Sequence, residues 1–405
     1  MQAPLKGIRV IDWTHVLAGP ACAYYLAHLW AEVIKVEAPE RGDAIRHRGG
    51  SDTDRASAGL STAFQTQGAG KHYLALDVEH PEGRDLFGRL IRSADVLVEN
   101  HRPASLERLK LTEQHTRAIN PRLVHCAMTG YGRGNAMANA PAYDVNIQAI
   151  SGLMALTGTQ ETGPIRTGAP IIDYATGLAG ALGVMSALMA RDDSGEGSFV
   201  DVSMLETAFA LMSSTITDYR LTGTEPQPRG NAANSRSPSA GTFPCLSAHI
   251  SLGVNEEGHF NALATALGKS DWLTDARFRT SEIRSKNRER LMDELSAILL
   301  TKSASEWEDI LLAAGVPCAR LRGLAEALDS PPAQDRRFAT PGPGGFSGLP
   351  FFIEAEQSDA APSALGANTR SILTEIGMNN AEIDELHMKG FIKATLRQLQ
   401  IGLTA

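Results

Sequence analysis

One acidic residue in this sequence stands where acyl chemistry is easily done. Asp173 lies between Gly168-Ala169-Pro170-Ile171-Ile172 and a long apolar run, Tyr174–Arg191. By position alone, the ordinary role of such an aspartate is the helix N-cap. There its carboxylate accepts a backbone N–H and complements the helix dipole. A carboxylate at a helix start is also a competent nucleophile. The positive end of the helix keeps it ionised, and an unperturbed aspartate with a pKa of about 3.9 needs no base at neutral pH. Position alone leaves both roles open.

Other groups that could carry chemistry are weaker. Gly130–Gly134 reads G-Y-G-R-G, not G-x-G-x-x-G, and does not follow the first strand. Gly70-Lys71 is followed by His72, so no phosphate-binding P-loop is present. H-E-x-x-H and G-x-S-x-G are absent. Cys22, Cys126, Cys245 and Cys318 are far apart, with no C-x-x-C pair. They are expected to be buried thiols, and no metal site is expected. His125 falls inside an apolar run and is expected to be a satisfied core residue.

The elements that must position Asp173 alternate in type. Gly7–Trp13, Val33–Glu37, Tyr73–Val78, Asp95–Glu99 and Leu123–Met128 are β-branched runs that predict buried strands. Cys22–Ala31 and Pro81–Ser93 predict helices between them, with Pro81 suited to a helix start. That alternation predicts a doubly wound α/β core around a parallel sheet. Gly177, Gly180 and Gly183 stripe the helix after Asp173. Each costs about 1 kcal/mol against alanine in a helix interior, so close packing is expected on that side. Ser198–Met204 predicts a strand and Leu205–Leu221 a helix. Thr222–Pro244 is rich in Gly, Pro, Ser and Asn and predicts a linker or long loop. Strand-like Ala248–Val254 and helical His259–Leu267, Arg288–Leu300 and Ser305–Ala314 predict a second, smaller domain. Pro341–Pro350 separates it from a helix near Thr369–Ile376.

The 405 residues suit two or three domains. With 38 basic against 46 acidic residues the net charge is -8, which argues against a nucleic-acid partner. No run of 18 apolar residues is apparent and the first residues lack a signal-peptide pattern, so the expectation is a cytoplasmic protein without a membrane partner.

The whole chain resembles the class III CoA-transferases, whose fold the α-methylacyl-CoA racemases share. The likeness runs from Leu5-Lys6-Gly7-Ile8-Arg9-Val10 to Leu365-Gly366 and Leu386-His387. It is carried by His15–Pro20, Gly42-Asp43, Lys71, Leu76-Asp77, Val98-Glu99-Asn100, Thr129–Gly132, Ser151-Gly152, Asp173 with Gly177, and Gly195-Glu196-Gly197. The resemblance implies a Rossmann-like large domain, a smaller α+β domain and an interlocked, ring-like homodimer. Residues 1–221 would form the first part of the large CoA-binding domain. Residues 222–330 would hold the linker and small domain, and 331–405 the second linker and the return to the large domain.

The resemblance also implies a reaction. Asp173 matches the family's catalytic nucleophile, so CoA would pass from an acyl-CoA to a small carboxylic acid through aspartyl intermediates. Coenzyme A is then substrate and product, not a resident cofactor. The implied CoA-lining positions are Val16, Leu17, Ala18, Ala38, Arg41, Leu76 with Asp77-Val78-Glu79, Asn100, His101, Arg102, Arg108, Tyr143 and Asp144, with Arg108 as the phosphate partner. Leu17 replaces the glutamine of formyl-CoA transferase, Ala38 replaces a family arginine, and Pro141 replaces a family lysine. Tyr143 stands where the racemases have histidine. A phenol, with an ordinary pKa of about 10, is poorly suited to α-proton abstraction. Transferase is therefore preferred over a racemase/isomerase or a catalytically inactive CoA-binding homologue.

Overall fold

The computed structural model describes residues 3–228, 230–233, 235, 237–335, 339–340, 346–347, 349–351 and 361–394. Most of the expected Pro341–Pro350 linker lies outside them. The chain divides into two compact units. One comprises residues 1–153, 166–224 and 336–405, and the other residues 154–165 and 225–335.

The first unit is built on strands β1 (Arg9–Trp13), β2 (Glu32–Glu37), β3 (Lys71–Leu76), β4 (Val96–Glu99), β5 (Val124–Thr129) and β6 (Phe199–Ser203). They lie parallel in the order β3-β2-β1-β4-β5-β6, and Ile392–Lys393 adds antiparallel to the outer edge of β3. Successive side chains on a strand face opposite ways, so each strand feeds two cores. Ile11, Ile34, Leu74 and Leu97 pack with Phe87 and Leu90 of the Pro81–Ser93 helix and with Ile372 and Ile383. Val10, Val33, Val96 and Val124 pack on the other face, against α1 (Ala18–His28) and a helix α2 (Ile171–Ser194). Both faces are covered, as a parallel sheet requires.

Several boundaries differ from the sequence reading. β3 begins at Lys71 rather than Tyr73, because Asp12 takes up the buried Lys71 ammonium at 2.7 Å. α1 begins at Ala18, four residues before Cys22, which brings its N-terminus directly behind the β1 turn. The expected Leu205–Leu221 helix is two, Met204–Leu211 and Ser213–Thr222. At the break Ser213 Oγ donates to the Ala210 carbonyl at 2.6 Å, a side-chain bond that competes with the helix ladder.

α2 is 24 residues long and, by length and composition, apolar enough to cross a membrane, contrary to expectation. Its glycines instead mark close packing. A Cβ at Gly177 would lie 2.8 Å from Ala21 Cβ of α1, and one at Gly183 would lie 2.7 Å from Val200 Cγ1 of β6.

In the second unit Ala240–Pro244, His249–Gly253 and Cys318–Arg320 form an antiparallel sheet. The expected loop Thr222–Pro244 therefore ends in a strand, fixed by buried Ala240 and Phe243. Helices Glu257–Ala266, Arg288–Leu299 and Ala304–Ala313 close a core around Trp272, Phe260, Leu291 and Trp307. Cys22, Cys126 and Cys245 are buried free thiols, whereas Cys318 is only half-buried.

Candidate active site

In a doubly wound sheet the crevice for a ligand opens at the carboxyl ends of the strands, where the strand order reverses. Here β1 and β4 are that pair, and a cavity of about 340 Å³ lies there. The turn after β1 contributes His15, Val16, Leu17 and Ala18, and the turn after β4 contributes Asn100, His101 and Arg102. Thr129 and Gly130 come from the end of β5. Pro141, Ala142 and Tyr143 come from the segment before the Asp144–Ile150 helix, and Asp173 from the first turn of α2.

Asp173 is not the N-cap. α2 starts at Ile171 behind Pro170, which places Asp173 at the third helical position. The capping is done from a distance in sequence. Asp144 Oδ2 accepts the N–H of Ile172 at 2.8 Å and that of Asp173 at 3.3 Å. The other Asp144 oxygen accepts from Gln148 Nε2 at 2.5 Å, and Gln148 Oε1 in turn accepts the Thr167 N–H at 2.9 Å. The Asp173 carboxylate is thereby left free for the cavity.

The expectation of an unperturbed, fully ionised Asp173 is corrected. Burial, reinforced by the Asp144 charge, pushes its carboxyl up to about 7. Both effects disfavour the anion, and Asp144 has already taken the helix N–H groups that would favour it. The free protein therefore holds a proton on Asp173 far more readily than on an ordinary aspartate.

Two imidazoles, His15 and His101, line the same cavity. The His101 ring lies against Trp13 at 3.8 Å between centroids, tilted by 32°, and burial pushes its imidazole down to about 4. Burial also lowers His15, whose ring lies 5.5 Å from that of His101. Asn100 ties the two turns together. Its Oδ1 accepts the His15 N–H at 2.9 Å and its Nδ2 donates to the His15 carbonyl at 2.8 Å.

The structure brings Val16, Leu17, Ala18, Asn100, His101, Arg102, Tyr143 and Asp173 together around the cavity. Asp144 is buried behind it as the cap of α2. The remaining sequence candidates are not in its lining. Leu76 is fully buried in the core beneath the Pro81–Ser93 helix. Ala38 and Arg41 are exposed on the turn after β2. Arg108 is exposed, and its Nη2 donates to Glu79 Oε1 at 2.8 Å. The lining arginine is Arg102, at the start of the Pro103–Leu109 helix. Ser105, Met128 and Met204 also line the cavity without having been expected, and only their neighbours in sequence pointed to them. His125 is buried in the core as expected, with Nδ1 2.9 Å from Thr116 Oγ1. It is not fully satisfied, because its Nε2 has no hydrogen-bond partner among the described residues and lies 3.7 Å from Glu99 Oε1. Among the described residues no group of three His, Cys, Asp or Glu could hold a metal ion.

Comparison with known proteins gives this geometry its context. The profile of CoA-transferase family III matches residues 5–364. The succinate–glutarate CoA-transferase of Agrobacterium fabrum is 32% identical over 381 residues, covering 92% of this chain and 90% of that protein. The acetyl-CoA:oxalate CoA-transferase of Acetobacter aceti is 34% identical over 334 residues, covering 82% of this chain and 84% of that protein. The crystal structure of a CaiB/BaiF family protein from Brucella suis superposes with a TM-score of 0.82 at 28% identity, covering 93% of this chain and all of that one.

Proposed function

This chain belongs to CoA-transferase family III and is a CoA-transferase, and on that basis we propose that it moves CoA from an acyl-CoA to a small dicarboxylic acid through covalent intermediates on Asp173. The observation that carries the reading is the division of labour at the start of α2. Asp144 caps the helix, and the Asp173 carboxylate faces the cavity free of that duty.

The reaction balances without an energy input. An Asp173 oxygen attacks the donor thioester carbonyl, the C–S bond breaks, and CoA leaves as thiolate from a mixed anhydride. The thiolate then attacks the aspartyl carbonyl, giving an aspartyl-CoA thioester and releasing the donor acid as carboxylate. The acceptor carboxylate attacks that thioester, forming a second anhydride and freeing the thiolate again. Attack of the thiolate on the acceptor acyl carbon yields the new acyl-CoA and restores Asp173. Every intermediate stays at the acyl level.

The surroundings suit these steps. Burial penalises the Asp173 anion but not its uncharged acyl derivatives, so acylation relieves a cost that the empty site carries. Ala18 opens α1, and its N–H, lacking an intrahelical partner, is a donor for the oxyanion of each tetrahedral intermediate. Arg102 takes the phosphate-binding role first expected of Arg108, since a guanidinium pairs with phosphate in bidentate fashion. Leu17 presents an apolar wall to the acid, which favours four- and five-carbon chains over oxalate and formate. The Agrobacterium relative, named for succinate and glutarate, fits that preference. The Acetobacter relative, named for oxalate, makes the acid panel decisive.

A cytoplasmic, interlocked homodimer completes the proposal. The pairing of two chains is supported by exposed apolar side chains, among them Leu182 at 69% and Met189 at 72% on α2. The direct test offers succinyl-CoA to the purified protein with glutarate, mesaconate, oxalate and formate, and follows the new acyl-CoA. Transfer to the longer diacids supports the reading, and no transfer to any acid refutes it.

A further inference from the structure

Behind the cavity lies a group of charges that the proposed chemistry does not use. Asp12, Lys35, Asp43 and Lys71 are all buried, at 0%, 1%, 5% and 6% exposure. Lys35 Nζ lies 3.2 Å from Asp43 Oδ2 and 3.9 Å from Asp12 Oδ2, and Lys71 Nζ lies 2.7 Å from Asp12 Oδ2. Stability alone gives no reason for such a group, because apolar side chains of similar volume often serve a core as well or better.

The charges converge on one short stretch of backbone. Lys35 Nζ donates to the Thr14 carbonyl at 3.0 Å. Both Asp43 oxygens accept the Val16 N–H, at 3.1 and 3.2 Å. Lys71 Nζ donates to the Pro20 carbonyl at 2.8 Å. Between these holds Val16 has φ of +68°, a left-handed conformation that is rare for a β-branched residue. Such strain persists only where the surroundings over-determine it. Leu17 and Ala18, the next two residues, line the cavity with Asp173. Asp43 is itself braced, since its own N–H donates to Glu37 Oε1 at 2.8 Å and Glu37 pairs with buried Arg46 at 2.7 Å.

We infer that Lys35 and Asp43 are positioning residues: their buried ion pair clamps Val16 in the left-handed conformation and so sets Leu17 and the start of α1 against Asp173. The inference deepens the proposed acyl transfer and rests on it for its effect on rate. The geometry of the clamp itself does not depend on that reaction.

The test combines kinetics with a substrate-free readout. Asp43→Ala, Val16→Gly and the double variant are compared for kcat and KM with succinyl-CoA. Methyl spectra of Val/Leu-labelled protein follow Leu17. Asp43→Ala should lower kcat about tenfold or more with KM within about threefold, as misplacement of reacting groups does, and should move the Leu17 methyl signals. Glycine adopts positive φ without strain, so Val16→Gly should recover rate in the Asp43→Ala background while recovering none in the wild type. Independent effects that simply multiply, or a wild-type kcat with unmoved Leu17 methyls in Asp43→Ala, would overturn the clamp. Should Asp43→Ala fail to fold, Val16→Pro leaves all four charges in place but removes both the N–H that Asp43 accepts and access to positive φ. It should lose kcat and move Leu17, and a wild-type rate in that variant would overturn the clamp as well. If the wild type transfers no CoA at all, the proposed function fails by itself, and the Leu17 methyls of the variants still decide the clamp.

Discussion

Asp144 and Asp173 share one helix terminus unequally: Asp144 Oδ2 holds the N–H groups of Ile172 and Asp173, at 2.8 and 3.3 Å, while the Asp173 carboxylate is left to the cavity. One carboxylate receives the stabilisation of the helix start; burial raises the other, and the charge of the first adds to that rise. Removing that charge should reverse part of the effect. In Asp144→Asn the side-chain oxygen still caps α2, but Asp173 loses its repulsive neighbour and its pKa falls. The acid limb of kcat/KM against pH should then move to lower pH. An unmoved limb contradicts the coupling.

The Asp173 carboxyl is raised from 3.8 to about 7, so folding strengthens its hold on a proton. Stability from that proton is complete below the unfolded value and is lost as pH rises through about 7. Asp173→Asn removes the buried charge present above that pH. It should stabilise the fold by about 1–3 kcal/mol at pH 8 and by little at pH 4. Urea unfolding at the two pH values checks this, and an equal gain at both would contradict it.

Arg102 and Arg108 lie at opposite ends of one short helix and should behave differently. Arg102→Ala should raise KM for acyl-CoA about tenfold, the loss of a charge-assisted phosphate contact. Arg108→Ala should change it less than about twofold, because that guanidinium is already engaged by Glu79 at the surface. Initial-rate kinetics of both variants decide between them.

Much of the fold was legible in the strands. Val10-Ile11 and Val33-Ile34 announce residues buried on both sides, and the glycine stripe of Gly177, Gly180 and Gly183 announces a close approach. Asp173 drew notice by its place between Pro170 and that stripe, but only the whole-chain resemblance pointed to it as a nucleophile rather than a cap. What local sequence could not convey is which distant partner reaches a given group. The cap of α2 comes from 28 residues upstream of Ile172, and the pairing that occupies Arg108 comes from Glu79, 29 residues away. Likewise Val16 is an unlikely left-handed residue by type, and only the charges on β2, β3 and the Asp43 turn account for it.

Leu17 forms part of the wall beside Asp173. A buried methylene contributes about 0.8 kcal/mol, whereas an unmade bond to a buried polar group costs about 1–3 kcal/mol. The wild type should therefore prefer succinate-like and branched five-carbon diacids over oxalate and formate. Leu17→Gln should shift the ratio toward the smaller acids by roughly tenfold, measured as relative kcat/KM. Faster transfer to oxalate than to any longer diacid would contradict this role.

Tyr143 is exposed at the cavity rim and offers no second base like that of the racemases. A 2-methylacyl-CoA incubated in deuterated water should gain no α-deuterium. His15 and His101 line the same cavity as neutral imidazoles, so rapid exchange would point to one of them and to racemase chemistry.

The covalent role of Asp173 is tested most directly by trapping it during turnover. Protein incubated with succinyl-CoA and hydroxylamine should be inactivated, and peptide mapping should find the hydroxamate at Asp173. Asp173→Ala should bind CoA, take up no label and transfer none. Label elsewhere in the wild type, or near-normal transfer by Asp173→Ala, would contradict the aspartyl mechanism.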